Sequence, residues 1–364
     1  MPNVGIDASM LERHRTGIGN YVFNLLVRYR RVRPDARVFL FSNARVSDDA
    51  RALGECFDDV FSPVRKGPLW LSTGLPALLR KQRIDVFWGG NGYLPAVAPR
   101  GMRRVVTIHD FVYRHAGHTL PQLSLWSRRL LQPLAIRQAD AVVCVSHSTA
   151  HELRALHGRT ADAVLEPPID PVYRPAAADA VDAVRRRYEL PARFLLTIGT
   201  LEPRKNVVAL LSAYTRARDA GAELPPLVLA GKLGWLSSDI RATLDDAAAR
   251  GFARFLGYVP LELMPALYCA AEAFLFVPLY EGYGMPAREA LLCGTPVIAS
   301  DIAALREATG GLARFVAPDG DSIERMLREY AHAGPPPRPA VSAPVDAAAD
   351  AAAERFAAVL SPRD

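Results

Sequence analysis

Short runs of consecutive apolar residues alternate along the chain with longer stretches whose apolar positions recur every three or four residues. The first kind predicts buried strands and the second amphipathic helices. In the first half, strands are expected at 4–7, 38–41, 86–88, 105–109 and 141–145. Helices are expected at about 19–32, 70–82, 122–139 and 148–157. Ile18, Val22, Leu25, Leu26 and Tyr29 share a face of the first, and Pro76 is expected to distort the second. A second set follows, with strands at 194–198, 227–230, 255–257, 273–277 and 296–300 and helices at 207–220, 238–250, 261–271 and 287–293. Regular strand–helix alternation argues for parallel α/β sheets.

The two sets are separated by EPPIDPVYRPAAA at 166–178, a proline-rich stretch that suits a linker. A Rossmann-like domain is therefore expected over 1–170 and another over 171–335. Residues 336–364 should form a Pro-rich connector and an Ala-rich helix at about 346–360. A length of 364 residues suits two cores better than one.

Composition narrows the class. No apolar run approaches the roughly 20 residues of a membrane span, and MPNVGIDAS reads as a strand at once, not as a signal peptide. The four cysteines (Cys56, Cys144, Cys269, Cys293) are scattered with no C-x2-C pair, and no His/Cys cluster has zinc spacing. A reduced, cytoplasmic setting is the expectation. Up to position 175 there are 24 basic and 15 acidic residues, against 20 and 23 beyond it. A basic first half suits an anionic membrane or an acidic acceptor. Arginine outnumbers lysine by 40 to four, which makes Lys205 and Lys232, each just after an expected strand, worth noting. Ligands of open α/β sheets bind at such strand ends.

The densest chemistry lies in EGYGMPAREALLCGTPVIAS, 281–300. Glu281 stands in a loop with Gly282, Tyr283, Gly284 and Met285. Pro286 suits a first helical turn, and Gly294 ends the helix. Free N–H groups and the positive helix end suit a phosphate. Glu289 lies in the first turns of that helix, eight positions after Glu281. A carboxylate at each end of an anion-binding loop fits a ligand with hydroxyls on both sides of a phosphate, as in a nucleotide sugar. Taken alone, two glutamates at this spacing are more often a loop charge and a residue complementing the helix dipole.

Other strand ends carry candidates. Gly17 and Gly19 precede the first helix, where a tight turn is the plain reading and close approach to a phosphate the functional one. His109 and Asp110 end the 105–109 strand. Arg204 and Lys205 follow Pro203 after the 194–198 strand and could clamp a diphosphate, or be a solvated turn. Lys232 follows the 227–230 strand, and Val259 lies in FLGYVP.

The 281–300 segment resembles the E-x7-E signature of retaining glycosyltransferases of family 4, which have the two-domain GT-B fold with its sheets facing a deep cleft. Tyr283 and Met285 replace the usual Phe and Leu. The resemblance extends over about 3–330. It implies a nucleotide-sugar donor held by the second domain and an acceptor by the first. It implies sugar contacts from Glu281 and His109, a ribose contact from Glu289 and diphosphate contacts from Lys205 and the Gly17/Gly19 loop. FLGYVP resembles the segment whose backbone meets the nucleobase. Thr200 stands where many members have Arg, so Arg204 is the expected substitute. GTLEPRKN looks most like bacterial mannosyl- and rhamnosyl-type transferases of surface polysaccharide assembly. GDP-mannose is the expected donor, with UDP-sugars or a deoxysugar nucleotide as alternatives. The expected acceptor is a glycan on polyprenyl diphosphate at the inner membrane's cytoplasmic face. No metal or other cofactor is expected, because protein cations replace the metal in this fold. Nucleic acid is not expected as a partner. A non-hydrolysing epimerase of the same fold lacks this E-x7-E context. A non-catalytic binding protein does not explain Glu281, His109 and Lys205 together. A dehydrogenase is disfavoured by an incomplete G-x-G and by no acid near Phe41.

Overall fold

A computed structural model describes residues 2–12, 15–58, 70, 74–339 and 345–361. The elements run β1 (Asn3–Asp7), α1 (Gly17–Val32), β2 (Arg37–Phe41), α2 (Asp48–Arg51), β3 (Glu55–Phe57), α3 (Gly74–Lys81), β4 (Val86–Gly89), β5 (Arg103–Ile108), α4 (Val112–His115), α5 (Gln122–Gln138), β6 (Ala141–Cys144), α6 (His147–His157) and β7 (Ala163–Val164). They continue with α7 (Ala178–Arg187), β8 (Leu195–Ile198), α8 (Val207–Asp219), β9 (Leu227–Ala230), α9 (Ser238–Ala249), β10 (Ala253–Phe255), α10 (Met264–Ala270), β11 (Ala273–Phe276), α11 (Met285–Leu292), β12 (Val297–Ser300), α12 (Ala303–Thr309), β13 (Arg314–Val316), α13 (Gly320–Ala333) and α14 (Val345–Leu360). Among the described residues, no helix is long and apolar enough to cross a membrane.

The chain divides into two compact units. One comprises 1–111, 123–169 and 344–364, the other 112–122 and 170–343. The first holds a seven-stranded parallel sheet in the order β3-β2-β1-β4-β5-β6-β7. The interior strands β4 and β6 are buried at every position, as expected of strands covered on both faces. The second unit holds a six-stranded parallel sheet in the order β10-β9-β8-β11-β12-β13. Its core joins Leu195, Leu229 and Leu275 of the sheet to Leu211 and Tyr214 of α8 and Met326 and Tyr330 of α13. This is the two-domain α/β architecture expected from the strand–helix alternation.

Several boundaries differ from the sequence reading, each for a local reason. Residues 112–122 belong with the second unit, although they fall inside the 1–170 segment. There His115 stacks on Tyr280 with ring centroids 5.0 Å apart, and Thr119 accepts a hydrogen bond from Trp235 Nε1 at 2.8 Å. The strand expected at 255–257 lies at 253–255, because Gly257 turns away at a φ of +69°. Of the helix expected at 70–82, the described span α3 begins at Gly74, directly after residues outside the description, and includes Pro76. It is the third residue of that described span, a place where a missing N–H costs little if the helix begins there. Residues 71–73 of that expected helix, 13 and 14 of the loop before α1, and 340–344 of the expected connector lie outside the described residues.

Helix α14 belongs to the first unit. Phe356 packs on Trp88 and Tyr29, with ring centroids 4.5 and 5.7 Å apart, and Asp350 accepts a hydrogen bond from the buried Arg28 at 3.1 Å. Ala352, Ala353, Ala357 and Leu360 are buried beside it. Small residues let this helix lie close, with one large ring as its anchor. Phe356→Ala should therefore destabilise the first unit by about 3–5 kcal/mol. Chemical denaturation followed by tryptophan fluorescence checks this, and a loss below about 1 kcal/mol would mean that the helix is not held by this ring.

Candidate functional site

In the second unit the sheet grows in opposite directions from β8 and β11, which lie side by side. A crevice forms outside the carboxyl ends of such a strand pair. The loops leaving these two strands are 199–206 and 277–284. Residues Pro203–Lys205 form a single 3₁₀ turn, and Asn206 follows in the left-handed region at a φ of +61°. Asparagine tolerates that conformation better than most residues. Its Nδ2 donates to Val277 O at 3.0 Å and Pro318 O at 2.8 Å, and Leu279 N donates to Arg204 O at 2.9 Å. The two loops are thus fixed to each other.

Four charges meet between them. Lys205 Nζ and Arg204 Nη1 both bind Glu281 Oε1, the latter at 2.9 Å. Arg204 Nη2 and Nε also hold Glu202 Oε1, at 2.7 and 3.0 Å, and Nη1 donates to Tyr280 O at 3.1 Å. All four side chains are at most 16% exposed. Burial pushes the Glu281 carboxyl up, but Arg204 and Lys205 together hold it below its ordinary value. Burial lowers Lys205, against the pull of Glu281. Burial raises Glu202, and Arg204 offsets this only in part. Two acids balance two bases, so the cluster is neutral as a whole. A ligand anion arriving here would meet cations already oriented.

Glu289 has the opposite surroundings. It lies on α11, and Tyr268 Oη donates to its Oε2 at 3.0 Å, with Tyr173 as a second phenol partner. Burial raises its carboxyl to about 7, and the two tyrosines offset this only in part. Gly284 caps α11 at a φ of +110°, and a Cβ there would lie 2.2 Å from Leu305 Cδ2. Gly282 and Tyr283 are buried beside it, and Met285 opens the helix half-exposed. At the neighbouring strand ends, a Cβ on Gly231 would lie 1.9 Å from Gly199 O, so those two turns press backbone on backbone. Lys232 follows Gly231, exposed, with Nζ 5.3 Å from the Tyr258 ring centroid, and Val259 is buried.

In the first unit, His109 follows β5. Its Nε2 is 2.6 Å from Gly90 O, and its ring meets Tyr21 edge-on at 5.0 Å. Against a carbonyl that nitrogen must carry the proton. Burial lowers the imidazole's affinity for a second proton, which favours the neutral ring. Gly17 opens α1 and is exposed, whereas Gly19 is buried, and a Cβ there would lie 2.5 Å from Met10 O. Close packing by itself accounts for Gly19. Asp110 is 3.5 Å from Arg128 Nη1 and accepts from Gln132 Nε2 on its carbonyl at 2.9 Å.

The tertiary structure thus brings Glu281, Arg204 and Lys205 into direct contact, with Glu289 on the helix that follows. It also adds residues absent from the sequence reading. Glu202 carried no signal beyond standing two positions before Arg204. Tyr173 and Tyr268 are distant in sequence from Glu289, so no spacing could connect them. Asn206 was the detectable one, as a left-handed-tolerant residue just ahead of a helix.

Comparison with known families matches residues 15–172 to Glycosyltransferase Family 4 and residues 192–332 to Glycosyl transferases group 1. The O-antigen chain mannosyltransferase B of Escherichia coli is 29% identical over 330 residues, covering 86% of this chain and 86% of that protein. The serotype-specific mannosyltransferase WbdA of Escherichia coli is 30% identical over 201 residues, which are 53% of this chain and 24% of that much longer protein. Among solved structures, sucrose-phosphate synthase from Thermosynechococcus elongatus shares the fold with a TM-score of 0.71 over 99% of this chain and 95% of that one, at 18% identity.

Glu289 gives a direct test of the site's electrostatics. Its carboxyl is held at about 7 in the folded chain, above the ordinary 4.5. The folded state therefore binds the proton more tightly than the unfolded one. Its stabilising contribution is complete below about pH 4.5 and is lost as pH rises through about 7. Glu289→Gln should gain on the wild type by a few degrees in melting temperature between pH 5 and pH 8. A constant difference across that range would rule out a raised carboxyl.

Proposed function

The chain belongs to glycosyltransferase family 4, and from that premise we propose that it transfers a hexose from a nucleotide sugar, with retention of anomeric configuration, in surface polysaccharide synthesis. The observation carrying this reading is the buried Glu281–Arg204–Lys205 cluster at the β8/β11 strand ends, beside the capped start of α11.

In this reading the anomeric C–O bond breaks through an oxocarbenium-like state, and the diphosphate leaves with the bonding electrons. Arg204, Lys205 and the α11 N-terminus take up the charge that develops on it. Glu281 holds the two cations in the absence of donor and turns to the sugar hydroxyls when the diphosphate replaces it as their counter-ion. Glu289 accepts hydrogen bonds from the ribose. The turn at the exposed Gly17 lets backbone approach the diphosphate, Lys232 and Val259 lie on the nucleotide side, and His109 offers polarity near the anomeric carbon. The acceptor attacks on the face that the diphosphate leaves, and the leaving phosphate takes the acceptor's proton, so no separate base is required. Cationic side chains serve where other transferases use a metal.

Mannose from GDP-mannose is the donor we favour, because the relative matched over most of its length is a mannosyltransferase. The acceptor is a glycan or lipid-linked oligosaccharide.

Glu281→Gln and Lys205→Ala should each lower nucleoside diphosphate release by at least about 100-fold, the scale of losing a preorganised charge contact in the transition state. Glu281→Gln preserves shape, and its melting curve controls for the loss of a buried ion-pair partner, which alone can cost about 3–5 kcal/mol. Wild-type rates in both variants would remove this cluster from the mechanism. In a thermal-shift panel of GDP, UDP, ADP and TDP, GDP should give the largest rise. A larger rise with UDP or TDP would overturn the GDP-mannose assignment while leaving the transferase reading intact.

A further inference from the structure

Helix α5 (Gln122–Gln138) is apolar on two faces. Its inner face buries Leu125, Ala135 and Ile136. On the outer side Leu123, Trp126, Leu130 and Leu134 are 84, 56, 67 and 40% exposed. Their spacings of three, four and four residues place them in one stripe along about three turns. Large exposed apolar side chains occur singly on most surfaces, but four in register on one helix mark a contact surface. The core explains only the inner face.

The charges around the stripe indicate what covers it. Arg129 and Arg137 are exposed alongside it, and the Arg129 guanidinium lies over the Trp126 ring at 5.7 Å. No aspartate or glutamate occurs anywhere in 122–138. A second copy docking through this stripe would set arginine against arginine with no acid on the helix to answer them. An anionic surface answers them directly. Residues up to 175 carry nine more basic than acidic side chains, so the wider field has the same sign. The helix is also firmly seated. Arg128 Nη1 is 3.5 Å from Asp110 Oδ1, and Gln132 donates to Asp110 O at 2.9 Å.

We propose that the outer face of α5 docks onto an anionic lipid bilayer, with Leu123, Trp126, Leu130 and Leu134 entering the headgroup–acyl boundary and Arg129 and Arg137 meeting lipid phosphates. A helix of this kind lies in the plane of the interface and does not span it. Its apolar area and its basic residues both contribute to binding. Tryptophan suits that depth, since its ring is apolar and its N–H can stay hydrated. The proposal goes beyond the transfer reaction and rests on none of the donor assignment.

The test is co-sedimentation of the full chain with vesicles of phosphatidylcholine alone or with about one third phosphatidylglycerol, without any sugar substrate. The wild type should bind the anionic vesicles, and salt should weaken that binding by screening. Trp126→Ser combined with Leu130→Ser should lower the partition coefficient at least about tenfold. Arg129→Gln combined with Arg137→Gln should lower it by about 25-fold, at about fivefold for each basic residue near such a surface. Both double variants should keep the wild-type circular dichroism spectrum and the wild-type nucleoside diphosphate release in vesicle-free solution. Failure of the wild type to sediment, or equal sedimentation of all three proteins, overturns the proposal. Equal binding to neutral and anionic vesicles removes the role of the arginines and overturns it too. A wild-type dimer that the Trp126/Leu130 variant converts to monomer, with vesicle binding unchanged, assigns the stripe to a second copy and overturns it.

Discussion

The burial of four charges between two strand-end loops sets the terms for the second unit. Arg204 and Lys205 sit against Glu281 and Glu202 with little access to water. A buried ion is tolerated only when its partners and hydrogen bonds replace the lost hydration. Each member therefore fixes the others, and the loops that carry them must be fixed too. Asn206 does this from one side by bridging to Val277 and Pro318, and the Leu279–Arg204 backbone bond does it from the other. A loop held so tightly presents its cations at defined positions, as an anion site needs.

The same few turns of chain produce two carboxylates with opposite tendencies. Glu281 and Glu289 are both buried, and burial raises both. The difference is the neighbours. Two cations beside Glu281 more than offset its burial, whereas two neutral phenols beside Glu289 do not. An ionised group near the cations suits exchange with a ligand anion. A carboxyl raised to about 7 changes charge across the physiological range, whereas Glu281, held below its ordinary value, does not.

The first unit is organised by a different constraint. Its seven-stranded sheet is roofed partly by α14, a helix from the far end of the chain, anchored by Phe356 on Trp88. Helix α5 presents Leu123, Trp126, Leu130 and Leu134 outward, while Leu125 and Ile136 serve its inner face.

The sequence by itself determined the two parallel α/β units, the strand-end loops and the E-x7-E segment. These are local properties: period, loop composition and spacing survive in one dimension. Glu281, Glu289, Arg204 and Lys205 were legible because each stands next to a strand or helix end that the pattern reveals. Short edge strands such as β7 and β13 were not, since two or three residues carry no period. Only the tertiary structure decided that 112–122 joins the second unit, that Glu202 holds Arg204, and that Tyr268 and Tyr173 surround Glu289. It also decided which face of α5 is outside. Most of these contacts join residues far apart in sequence, and even for near neighbours such as Glu202 and Arg204 the pairing and the charge states depend on burial, which no single stretch of chain contains.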